Sequence, residues 1–139
     1  MEYIRFNDTI FARIDKDEEV LQQLQVIATK EHIKLAHFHA LGATDDFTVG
    51  VYDVASKHYD SHNFTDPHEI VSLTGTINTM DGNYYCHAHM SCANNQGNVV
   101  GGHLNKALIS ATCELVLTIV NGHVDRYKDN KTGLNLFKF

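Results

Sequence analysis

The chain has little of what punctuates or staples a fold. Its 139 residues include one proline, Pro67, and no Pro-, Gly- or Ser-rich tract or internal repeat, so nothing reads as a linker between domains. The expectation is a single domain over residues 1–139. There are three cysteines, Cys86, Cys92 and Cys113. An odd number, in a chain long enough to bury a core unaided, argues for reduced thiols rather than a disulfide framework. No apolar stretch approaches the roughly 18 residues of a membrane span. The opening Met1–Phe6 lacks the basic region and apolar run of a signal peptide. The expected location is therefore cytoplasmic, with no membrane partner. Positive charge is also scarce. Only Arg5, Arg13 and Arg126 are arginines, and 11 Lys and Arg face 17 Asp and Glu, a net charge of −6. Nucleic-acid backbones are bound by clustered basic residues, so nucleic acid is not the expected partner.

What is present is mostly strand pattern. Ile4–Ile14 alternates. Asp15 then offers an N-cap with Glu18 as its capping-box partner, and Val20, Leu21, Leu24, Ile27 and Ala28 follow at helical spacing. This predicts one amphipathic helix over about Asp17–Lys30. Further strands are expected over Ile33–Leu41, Phe47–Asp53, His68–Asn78, Tyr84–Ala93, Val99–Leu104 and Ile109–Val120, with a short one in Leu134–Phe139. Turns are signalled at Met80–Asn83 and Asn94–Asn98. The fold class is α+β: an antiparallel, largely β sheet with one main helix.

Ten histidines are not evenly spread. A His-x-His pair, His87 and His89, is followed by Gly101-Gly102-His103. Side chains alternate along a strand. Within Tyr84–Ala93 the even positions Tyr84, Cys86, Ala88, Met90 and Cys92 are almost all apolar and should face the core, which leaves His87 and His89 on the opposite face. A hairpin centred near Asn95-Gln96 pairs residues whose numbers sum to about 191, setting His89 opposite Gly102. A one-residue register change, or a bulge at the glycines, brings His103 to the same face. Three neutral imidazoles suffice to hold Zn²⁺ with a fourth position open. The competing reading is a polar patch in a histidine-rich chain.

Other groups weigh less. His37 and His39 share one face with Leu35 and Leu41, and are expected in the core or supporting other ligands from behind. The three cysteines fall on apolar rows and are expected to act as small buried residues. Glu114 lies on a polar strand row. Glu69 opens a strand with Val71, Leu73 and Ile77 on its face, so it would stand at the mouth of an apolar cleft. Either carboxylate fits a general acid or base, a fourth metal ligand, or a plain strand-end charge.

The runs His68–Ile77 (HEIVSLTGTI), Asp81–Ser91 (DGNYYCHAHMS), Gly97–Leu104 (GNVVGGHL) and Ala111–Val120 (ATCELVLTIV) resemble the PPC domain, the plant and prokaryote conserved domain. The similarity extends to Leu41-Gly42-Ala43, Val49–Asp53 and Thr132–Phe137. It implies an antiparallel sheet with a helix or two packed on it, assembled as a homotrimer. It also implies that His87, His89 and His103 occupy the three-histidine metal site of prokaryotic members, with zinc as the expected ion. Plant members carry DNA-binding AT-hooks, and no such hook stands in this chain. The fold that the resemblance implies is also similar to acetolactate decarboxylase, a zinc enzyme that uses a His-x-His and a later histidine. That enzyme needs an arginine as well, and the sequence places none of Arg5, Arg13 and Arg126 beside the histidines.

These readings lead to a trimeric metal protein whose open site takes a small carboxylate or carbonyl compound, with a lyase or hydrolase as one outcome. A zinc-dependent sensor shares that open site. The alternative is a module that engages DNA or a transcription factor and uses the metal only for structure.

Overall fold

A computed structural model describes all residues, 1–139. The order is β1 (Glu2–Phe6), β2 (Thr9–Asp15), α1 (Val20–Lys30), β3 (Ala36–Asp53), β4 (His58–Phe64), β5 (His68–Met80), β6 (Asn83–Ala93), β7 (Val99–Ile119), β8 (Asp125–Lys128) and β9 (Asn135–Lys138). The first seven strands form one antiparallel sheet in the order β1-β2-β7-β6-β5-β3-β4, and β7 pairs back onto β3. Strands β3, β5, β6 and β7 thus close a circuit around the core, with β2 and β1 extending from β7 and β4 from β3. The α+β expectation holds: an antiparallel sheet dominates, with one helix.

Alternation explains the packing. Along β3, Ala36, Phe38 and Ala40 are buried while His37, His39 and Leu41 face out. Ala88, Met90 and Cys92 do the same on β6, and Cys113, Leu115 and Leu117 on β7. Inward side chains of the circuit join Ile10, Ile14, Phe47 and Ile70 in a single cluster of 25 buried residues. Val20, Leu24, Ile27 and Ala28 of α1 belong to it.

The elements differ from the sequence expectation in instructive places. Ile4–Ile14 is two strands, because Asn7 takes a positive φ of 53° and turns the chain. The helix begins later than expected, at Val20. Asp17 adopts a left-handed φ of 67°, and Glu19 caps the helix by accepting from the Gln22 amide at 2.8 Å. Glu18 does reach back to the Asp15 amide, at 2.8 Å. The expected pairs Ile33–Leu41 with Phe47–Asp53, and Val99–Leu104 with Ile109–Val120, are each one long strand, bent where their mutual register shifts. Strand β4 was not foreseen. Its sequence is polar and its side chains are exposed, except for the half-buried Tyr59 and for Phe64, stacked on Phe47 at 4.9 Å. No helix is long and apolar enough to cross a membrane.

Candidate metal centre

The β6–β7 hairpin places the three histidines. Its five-residue loop is held by Asn94, whose side-chain oxygen accepts from the Gln96 and Asn98 amides, both at 3.0 Å. Gly97 supplies the positive φ of 79° that the turn requires. Ala93 then pairs with Val99, Met90 with Gly102, and His89 directly with His103. The register is one residue away from that expected from the turn signal. It needs no bulge at the glycines: the longer loop moves His103 to the outer face with His87 and His89.

One imidazole nitrogen from each lies within 4.8 Å of the other two. Ring centroids are 5.1 Å apart for His87–His89 and His87–His103, and 5.6 Å for His89–His103. His87 and His103 are half-buried and His89 is exposed. Burial holds the His87 pKa down to about 4, aided by His103, Arg126 and His89. Burial, and His89 after it, lower His103 as well. Held neutral, His87 and His103 present lone pairs to a cation placed among the three rings. The donor set fits a divalent ion of the zinc class, with three protein nitrogens and no fourth protein ligand in the group.

The glycines before His103 serve close approach. A Cβ on Gly102 would stand 2.5 Å from the Gly50 carbonyl oxygen on β3, and one on Gly101 2.5 Å from that of Met90. They allow β7 to run tightly between β6 and β3 at the point where His103 projects.

The two carboxylates do not join the histidines. Glu69 is exposed and pairs with Ala93, four residues or about 13 Å along β6 from His89. The bulge between Ile70 and Ser72 separates it from the buried Leu73 and Ile77, so it heads no apolar cleft. Glu114 is exposed between Arg13 and Leu41, on the order of 15 Å away across three strands. The thiols are also excluded. Burial pushes Cys86 up to about 11, and Cys92 and Cys113 up to about 12, so they stay protonated. His37 and His39 are corrected: neither is in the core, and both are exposed on the outer face.

One residue near the site escaped the sequence reading. Arg126 of β8 is only 6% exposed and lies between the rings of Tyr85 and Phe137, at 4.7 and 4.3 Å from their centroids. Tyr85 is two residues from His87 on the same face of β6. Arg126 donates to the Asn78 side-chain oxygen at 3.0 Å and the Asn135 carbonyl at 2.7 Å, and pairs with no carboxylate. No local motif marks it, because its neighbours come from β5, β6 and β9.

The family model for the Plants and Prokaryotes Conserved domain matches residues 1–121. The chain belongs to this family. A metal-containing protein of Archaeoglobus fulgidus is 30% identical, with a TM-score of 0.87 over 99% of this chain and 97% of that one. A Ralstonia eutropha protein presumed to bind DNA is 27% identical, with a TM-score of 0.90 over 99% and 95%. The fold likeness to acetolactate decarboxylase of Bacillus subtilis is more distant: 11% identity and a TM-score of 0.59, covering 88% of this chain and 57% of the enzyme. No curated protein sequence matches the chain.

Proposed function

We propose that this PPC-family chain holds one divalent metal ion, Zn²⁺, through His87, His89 and His103, and presents it to a small carboxylate or carbonyl compound. The observation that carries the reading is the convergence of three imidazoles with no fourth protein ligand. Three neutral ligands leave the ion its full charge, so it supplies Lewis acidity at an open position. A lyase or hydrolase reaction on such a compound is the enzymatic form of this reading. Glu69 and Glu114 take no part in it within one chain, since neither reaches the histidines. The name of the Archaeoglobus fulgidus relative supports a resident metal. The test is metal content by inductively coupled plasma mass spectrometry, on untagged protein purified without chelator. About one zinc per chain is expected; no metal, and no uptake of added Zn²⁺, would overturn the reading.

The working form is a homotrimer. Ile4 and Phe11 are 55% and 51% exposed and cross-strand partners on the outer face, and Leu41 is 58% exposed nearby. Such apolar surface suits burial between copies. Light scattering should return three times the 15.6 kDa chain mass.

A second reading follows from the Ralstonia eutropha relative: a DNA-associated or transcription-factor-interacting module in which the metal is structural. The net charge of −6 favours the first reading. Fluorescence anisotropy with duplex DNA near 0.15 M salt separates them, and the first predicts no saturable binding.

A further inference from the structure

The metal centre leaves a second His-x-His pair unused. His37 and His39 project from the outer face of β3, alternating with the buried Ala36, Phe38 and Ala40. Strand register ties them to the centre. His37 pairs with Thr76, and Thr76 with His87; His39 pairs with Thr74, Thr74 with His89, and His89 with His103. Cross-strand partners share a face. The two His-x-His pairs therefore run side by side, two strands apart, with a pair of threonines between them. Two strand spacings put the Cα atoms of His39 and His89 about 10 Å apart.

The floor between the pairs is made of hydrogen-bond donors. Each neutral imidazole offers one N–H and each threonine one O–H. Followed outward, the same two cross-strand rows continue through Thr118 and Thr9, and through Val116 and Phe11, without an acidic residue. Arg126, packed on Tyr85 at the His87 end, adds a permanent positive charge with no carboxylate partner. Such a surface favours an anion, and its width gives that anion two ends. A five-carbon acid spans about 5 Å between its end carbons, given C–C bonds of about 1.5 Å. That length fits within the two strand spacings, about 10 Å, that separate the two His-x-His pairs.

Resting on the metal-centre reading, we infer that the ligand is a small dicarboxylate. One carboxylate is directed at the ion held by His87, His89 and His103. The other lies over Thr74 and Thr76 and accepts hydrogen bonds from His37 and His39.

The test uses the full chain loaded with Co²⁺, whose visible absorption reports a ligand joining the ion. Glutarate and pentanoate are titrated as probes of equal length. Glutarate should act at about tenfold lower concentration, the yield of one further charge-assisted contact. A double variant, His37→Ala with His39→Ala, should reduce glutarate to the level of pentanoate, leaving Co²⁺ uptake and pentanoate affinity unchanged. A control variant, His58→Ala with His62→Ala, should keep the preference. Equal affinities in the native protein, no response to either acid, or a preference that survives the double variant would each overturn the inference. So would loss of the preference in the control. Absence of Co²⁺ uptake by the native protein would instead overturn the metal centre itself.

Discussion

His89 and His103 are direct cross-strand partners on β6 and β7, and their ring centroids stand 5.6 Å apart. This pairing makes a three-imidazole group out of a local His-x-His, since His87 lies two residues from His89 on the same face. The centre needs a single hairpin and its register, and no contact between distant parts of the chain.

Replacing His89 by Ala should therefore abolish stoichiometric zinc binding. Replacing His58, which sits on the exposed β4 beside Asp60, should leave zinc content unchanged. Metal analysis of the two purified variants decides this. Zinc retained at one per chain in the His89 variant would remove the triad assignment.

Gly102→Ala tests the close approach of β7 to β3. The added Cβ would meet backbone, the Gly50 carbonyl oxygen at 2.5 Å, rather than a side chain able to move aside. The expected cost is about 1–3 kcal/mol, as for other overpacked sites. Urea unfolding should show a lower midpoint. Zinc affinity should fall with it, because His103 is the next residue.

Arg126→Ala should loosen the β8–β9 hairpin. It removes hydrogen bonds to Asn78 and Asn135 and the contacts with the Tyr85 and Phe137 rings. Together these suggest a loss of about 2–3 kcal/mol in denaturant unfolding. The variant should still take up one zinc, because Arg126 stabilises the surroundings and is not a ligand.

Acid stability should carry a signature of Asp46. Its carboxylate is held below the usual range by Lys106 on β7 and by Asn63 on β4, so it ties three strands. A lowered folded-state pKa means that the stabilisation is present above the unfolded value near 4. It is lost as pH falls through the folded value. Asp46→Asn should have a lower melting temperature than the native protein at pH 7, and the difference should close progressively below pH 4. Salt should shrink it, because the pair is partly exposed.

Much of the site was legible because alternation is a local property. Cys86, Ala88, Met90 and Cys92 mark the inner face of β6, and His87 and His89 follow on the outer one. The register was not fully legible. Summing pairs to 191 assumes a shorter turn, whereas Asn94 and Gly97 close a five-residue loop and set the sum at 192. Leu35 and Leu41 on the face of His37 and His39 suggest a buried row, but the core alternative for these histidines fails, because both are exposed. Leu41 is in fact 58% exposed. Strand β4 had no pattern to read: an edge strand with little burial is held by its backbone pairing to β3.

The sequence alone determined that His87 and His89 share the outer face of β6, that a third histidine follows on the next strand, and that the class is sheet-dominated; the family was legible as a resemblance carried by whole runs of residues. The first three follow from residue identity and two-residue periodicity over short stretches. Only the tertiary structure decided the closure of β7 onto β3, the alignment of His37 and His39 with the triad across Thr74 and Thr76, and the position of Arg126 beside Tyr85. These depend on pairing between segments tens of residues apart. That pairing is set by how the inward side chains fill one shared core, which no local pattern encodes.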